Sequence, residues 1–288
     1  MTPRHAYVQS IDLSLSYYEW GNADDPVILL VHATGMHGRV WDACIKALPV
    51  GYRIIALEIR GHGLSRYDGH LLNWELMGND VKTIIQTLDL NNIIGVGHSM
   101  GGHALTQACL DMPDRFKRLL LIDPVIFSPE RYDVVSEFEK GHPKDNPISR
   151  RRSEFNDWHD MVKVFEGKPP YSNWKPEVLE DYCQFGVKDA QNGVTLACIP
   201  ETEASVYMGH CSVNLISRFP EFDLPVTVLR ARQPEKQKGN RIDFSASPTW
   251  PDLAAQITNA KDVYLPELSH FIPMEDPELT AKYILEEI

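Results

Sequence analysis

The stretch Gly97-His98-Ser99-Met100-Gly101 is where the residue types and their spacing first suggest chemistry. A G-x-S-x-G between a strand-like run (93–97) and a helix-like run (100–112) has the context of a nucleophile elbow, a turn sharp enough to hold a serine in strained backbone geometry above a sheet. Such a turn demands small residues two positions to either side, and Gly97 and Gly101 supply them. Gly102 lets the following helix approach the strand closely. The start of that helix offers free N–H groups and a positive dipole end to a developing oxyanion.

A serine hydroxyl is a poor nucleophile at neutral pH and needs a base oriented by a third group. Of the eleven histidines, His270 stands out. It closes the loop after a late strand (263–265) and completes the order nucleophile, acid, base. His62, between Gly61 and Gly63, reads as a turn residue bonded to backbone, and His98 as a residue that points away from the nucleophile and either packs or supports the site from behind. His32 and His37 flank the loop after the first central strand and are placed to shape an oxyanion hole; His32 is also a candidate substrate contact. For the acid, Glu235 is the first choice, a few residues beyond strand 226–229. Asp123, at the end of strand 119–122, is the alternative, and Asp243 a distant third. Each has an ordinary structural reading too, Asp123 as a turn cap before Pro124 and Glu235 as a partner for Arg232. The two N–H donors of an oxyanion hole fall to Met100 and, in the loop 32–36, to Thr34.

These residues require an α/β scaffold. The runs 27–31, 54–57, 93–97 and 119–122 are short and apolar, as strands buried on both faces should be. Between them, 74–90 and 100–112 carry apolar residues at helical spacing. Upstream, 5–9 and 13–20 alternate and read as a hairpin. After Pro124 the chain turns polar and helical in period until about Leu224. The strand pattern then returns at 226–229, followed by a helix at 250–257, a strand at 263–265 and a closing helix at 277–288. The expected organisation is a core domain of residues 1–124 and 225–288, interrupted by a helical cap of residues 125–224. An insertion at that point lies over the crevice where open α/β sheets bind ligands.

Composition sets outer bounds. A chain of 288 residues buries roughly three quarters of its unfolded surface and needs no disulfide to fold. With 28 basic and 40 acidic side chains the formal charge is −12, which disfavours nucleic acid and anionic membrane as partners. Five widely spaced cysteines without a C-x-x-C fit reduced thiols. Residues 1–12 lack the features of a secretion signal, so a cytoplasmic location is expected. No metal-binding or phosphate-binding motif is present, so neither metal nor cofactor is expected.

VHATG, IRGHGLS, VGHSMGG, LLLIDP and SHFIPMEDPE occur in that order. Together they resemble the α/β-hydrolase superfamily, in particular its capped members, which include esterases, lactonases and carbon–carbon bond hydrolases. The resemblance spans about residues 27–124 and 225–288. It implies an eight-stranded, mostly parallel sheet flanked by helices, a cap after the sixth strand, and a triad of Ser99, an acid and His270. Two departures stand out. Ala33 occupies the place where members usually show Gly, and the loop after Arg230 lacks the usual Gly-x-x-Asp. Some relatives take the acid from the Asp123 position, so both carboxylates stay in play. Serine rather than aspartate at the elbow separates the chain from epoxide hydrolases and haloalkane dehalogenases.

The expected activity is hydrolysis of a carboxylic ester or lactone through an acyl-enzyme on Ser99. The alternatives are a C–C bond hydrolase using the same triad and a non-catalytic small-molecule receptor on the same fold. In the cap, Arg150-Arg151-Arg152 reads either as a solvated helix start paired to Glu154 and Asp157 or as a carboxylate site. Dense aromatics nearby favour a hydrophobic or aromatic acyl substrate, with Arg151, Trp158 and Trp174 as candidate contacts. Oligomeric state is open, a homodimer included.

Overall fold

The computed structural model describes residues 2–234 and 243–288. The alternating N-terminal segment forms an antiparallel hairpin of β1 (Arg4–Gln9) and β2 (Ser14–Trp20). The apolar runs become β3 (Val27–Val31), β4 (Arg53–Leu57), β5 (Ile93–His98) and β6 (Phe116–Ile122). Beyond an insertion that contains β7 (Glu154–Phe155), β8 (Val187–Ala190) and β9 (Gly193–Leu196), the main sheet resumes with β10 (Val226–Ala231) and β11 (Ala260–Leu265). The eight-stranded sheet has the order β1-β2-β4-β3-β5-β6-β10-β11. Only the two pairings made by β2 are antiparallel; the other five are parallel. The expected mostly parallel sheet is therefore present.

Period-two alternation divides the core. Val27, Leu29 and Val31 of β3 face one apolar cluster, Ile28 and Leu30 the other. The first cluster is closed by α2 (Glu75–Thr87) and α3 (Met100–Asp111), the second by α1 (Asp42–Ala47) and α9 (Pro277–Leu285). A short helix, α8 (Ile272–Glu275), precedes α9.

Residues 125–224 carry α4 (Pro129–Tyr132), α5 (Trp158–Phe165), α6 (Pro176–Phe185) and α7 (Pro200–Met208). The insertion is not purely helical, as the sequence had suggested: it also holds a three-stranded antiparallel sheet, β7-β9-β8. Its hairpin turns through Gln191-Asn192, and Gly193, the first residue of β9 opposite Ala190, takes φ 113°, a conformation glycine adopts without strain. The helix expected over 250–257 is reduced to one 3₁₀ turn, Ala254–Gln256. Pro248 and Pro251 donate no backbone hydrogen bond, and the segment closes instead through bonds spanning three residues, such as Leu253 N–H to Trp250 O and Gln256 N–H to Leu253 O.

The insertion is tied to the loops at the carboxyl ends of the parallel strands. Ser205 Oγ accepts from Leu71 N–H at 2.8 Å, and Val206 O from Trp74 Nε1–H at 2.9 Å. Tyr182 O accepts from His37 Nε2–H at 3.1 Å, and Met274 O from Lys175 N–H at 2.9 Å. No helix among the described residues is long and apolar enough to cross a membrane.

Several histidines are enclosed by this packing. Burial pushes the pKa of His37, His62 and His103 down to about 4 and that of His98 to about 3, because desolvation penalises the imidazolium. Unfolding returns each to its ordinary value near 6.5. Between those values the unfolded chain binds protons that the fold excludes, so stability is complete above pH 6.5 and is lost as pH falls towards 4. Unfolding at pH 5 should take up about four protons from this set, against almost none at pH 8. Calorimetry in buffers of different ionisation enthalpy measures this uptake, and equal uptake at the two pH values would contradict it.

Candidate active site

Ser99 stands between β5 and α3 at φ 57°, ψ −120°, a conformation that a residue with a side chain adopts only when its surroundings compel it. The compulsion is visible. Ser99 N–H donates to Ile122 O at 2.9 Å, and the two glycines allow backbone to lie on backbone. A Cβ on Gly101 would sit 2.3 Å from Val31 O, and one on Gly97 would sit 2.6 Å from Gly101 O. The reading of both glycines as sterically required holds.

His270 follows β11 and lies with its Nε2 2.9 Å from Ser99 Oγ. Its Nδ1 lies 2.6 Å from Asp123 Oδ2. Asp123 is fully buried at the end of β6. The second carboxylate oxygen, Oδ1, accepts from Ala231 N–H at 3.1 Å and from Ser247 Oγ–H at 2.5 Å, with Thr249 Oγ1 3.2 Å away. A carboxylate this deep is tolerated because its oxygens are met by hydrogen bonds. Glu235, the first choice from sequence, lies outside the described residues. Asp243 is engaged elsewhere, 3.2 Å from Arg232.

The other histidines are structural ties. His98 Nε2–H donates to His270 O at 2.8 Å, so this ring steadies the loop that carries His270. His32 is fully buried; its Nδ1–H donates to Ala33 O at 2.8 Å and its Nε2 accepts from Ile59 N–H at 3.1 Å. Both ring nitrogens are occupied by main chain, which corrects the expectation that His32 contacts substrate. His37 lies under the insertion, stacked on Tyr182. His62 bonds to Arg60 O, as a turn residue should.

A cavity of about 200 Å³ is lined by sequence neighbours of this constellation, with none of Ser99, Asp123 or His270 in its wall. Thr34 and Gly35, just after β3, form its core-side wall; Phe271, next to His270, forms another. From the insertion come Arg151, Trp174, Tyr182 and Glu203. Arg151 and Trp174 thus line the cavity as expected. Trp158 does not: it begins α5 and stacks on His159, with centroids 3.6 Å apart. Met100, the first residue of α3, is fully buried directly behind Ser99. Of the arginine run, Arg152 pairs with Asp160 and Arg151 with Glu203 rather than with Glu154 or Asp157. Burial raises the pKa of Tyr171 and Tyr182, so both hydroxyls keep their protons.

The sequence profile described as the alpha/beta hydrolase family matches residues 28–283. The chain belongs to that family. This alpha/beta hydrolase is 30% identical to a protein named bifunctional esterase/perhydrolase DCH from Acinetobacter calcoaceticus, over 97% of this chain and 98% of the other. Among solved structures, an E-2-(acetamidomethylene)succinate hydrolase superposes with a TM-score of 0.77 at 22% identity, covering 99% of this chain and 98% of that one. The thioesterase domain from the curacin biosynthetic pathway gives 0.77 at 18% identity, covering 99% and 100%. At such identities these two structures speak for the fold alone.

Sequence reasoning did not find Ser247 and Thr249, which steady Asp123, or Glu203, which pairs with Arg151. None belongs to a motif, and each acts through a partner far away in the chain. Ser247→Ala removes a hydrogen bond to a buried carboxylate and should lower unfolding free energy by about 2 kcal/mol. Urea denaturation checks this, and a change under about 0.5 kcal/mol would mean that Asp123 does not depend on Ser247.

Proposed function

We propose that this alpha/beta hydrolase cleaves a carboxylic ester or lactone through an acyl-enzyme on Ser99. The observation that carries this reading is the unbroken path from Ser99 Oγ through His270 to Asp123, with steps of 2.9 and 2.6 Å. Ser99 is the nucleophile, and His270 takes its proton at Nε2. Asp123 holds the Nδ1–H tautomer and stabilises the imidazolium. The neutral imidazole has one N–H at Nδ1, and Asp123 accepts it, which favours Asp123 over Glu235 as the acid. The amides of Met100 and Thr34 are assigned to the oxyanion.

The reaction balances in two halves. Oγ adds to the carbonyl carbon as Nε2 takes the hydroxyl proton. The tetrahedral intermediate then expels the alcohol oxygen, which receives that proton. Water next attacks the acyl-enzyme, gives one proton to Nε2, and Ser99 regains it as the carboxylic acid leaves.

Residues 125–224 act in this reading as a cap that selects the acyl group. Trp174, Tyr171 and Phe271 on the cavity wall suit a hydrophobic or aromatic acyl chain. The relative named an esterase/perhydrolase supports ester chemistry. A C–C hydrolase would favour the arginine run as a carboxylate clamp, and the pairing of Arg151 with Glu203 weighs against that use. A hydrogen-bonded serine, histidine and aspartate weigh against a passive receptor.

A fluorophosphonate probe should label the wild type rapidly at Ser99, as located by mass spectrometry, and His270→Ala should label far more slowly. Asp123→Asn should lower kcat by about 10⁴ through loss of the correct tautomer, while Glu235→Gln changes it little. Folded protein that resists the probe, or the reverse ranking of the two carboxylates, would refute the assignment.

A further inference from the structure

The cavity holds a charge pair that the proposed hydrolysis does not use. Arg151 Nη1 lies 2.9 and 2.7 Å from the two carboxylate oxygens of Glu203. Its Nη2 lies 3.3 Å from the Tyr171 hydroxyl and 3.4 Å from that of Tyr182. Arg151 precedes β7 and Glu203 belongs to α7, so two separate segments of the insertion deliver opposite charges to one wall. Glu203 also rests against the loop after β3, since a Cβ on Gly35 would sit 2.9 Å from Glu203 Oε1. The pair therefore borders the same loop that presents Thr34.

A guanidinium flanked by two tyrosine hydroxyls is a set of donors suited to a carboxylate. Here that position is already filled, and the carboxylate that fills it comes from the chain itself. An acyl group ending in a second carboxylate would meet like charge in a poorly solvated pocket, where repulsion is screened less than in water. Among the described residues lining the cavity, the one cation, Arg151, is already paired. An uncharged acyl group meets neither penalty.

We propose that Glu203 is a specificity-determining residue: it occupies an arginine carboxylate subsite from within, so that the enzyme accepts acyl groups with an uncharged distal end and rejects those ending in a carboxylate. The proposal rests on hydrolysis at Ser99 and goes further by naming the acyl class. Glu203→Gln preserves the side chain's shape and removes its charge, so Arg151 loses its countercharge and an incoming carboxylate meets no like charge.

The test compares ethyl half-esters of the dicarboxylic acids from succinate to suberate with ethyl esters of neutral acids of equal chain length. Wild type should favour the neutral ester by about tenfold or more in kcat/KM at every length; preference for a half-ester at any length would overturn the proposal without any variant. In Glu203→Gln the half-ester to neutral ratio should rise about tenfold or more for at least one length, and adding Arg151→Gln should abolish the gain. A ratio that stays put while neutral esters are still cleaved would also overturn it.

Binding provides a readout independent of turnover. Excess glutarate should raise the Tm of Glu203→Gln, whose Arg151 lacks a countercharge, and leave that of wild type unchanged; equal shifts would refute the subsite. If wild type cleaves no ester of either series, the reading of Ser99 fails, and the glutarate comparison alone decides the subsite.

Discussion

The hydrogen bond from His270 Nδ1 to Asp123 is the contact on which the rest of the site depends. It joins residues separated by 147 positions in the chain and forms only if β6, β10 and β11 lie side by side. Parallel pairing sets this: Leu229 of β10 lies opposite Ile122 of β6 and Val263 of β11. The bond also constrains what surrounds it. Asp123 is fully buried, and an unsatisfied carboxylate there would cost several kcal/mol. Ala231 and Ser247 therefore have to meet its second oxygen.

Ser99 and His270 were readable from sequence because their requirements are local. The elbow needs Gly97 and Gly101, and the structure gives the reason in ångströms: backbone from β3 and α3 occupies the space that a Cβ would take. His270 follows a recognisable late strand. The acid was harder, since any carboxylate at the right edge of the sheet satisfies the chain order. In the structure Asp123 lies 2.6 Å from His270 Nδ1, while Glu235 lies outside the described residues. His32 misled because proximity to an active loop says nothing about which way a ring faces, and its two nitrogens turn to main chain.

The strands and helices of the core announced themselves through apolar runs and helical spacing, whereas the insertion was legible only in outline. Its small sheet is formed by strands of two to four residues, and in β8 Lys188, Asp189 and Ala190 are all exposed, so no apolar alternation marked them. The pairing of Arg151 with Glu203 spans 52 positions, and nothing in the arginine run points to α7. On the proposed reading, specificity thus sits in the part of the chain where sequence pattern says least.

The location of Asp123 on β6 has an evolutionary consequence. With Asp123 ahead of the insertion, the described part of the long loop after β10 supports the proposed proton path from the side: the Ser247 and Thr249 hydroxyls reach the carboxylate, and Ser245 O accepts from His270 N–H. Phe244, on that same loop, lines the cavity. Drift in that stretch can therefore remodel the substrate wall while the reacting atoms stay in register, so that new acyl preferences can be explored without first surrendering the chemistry.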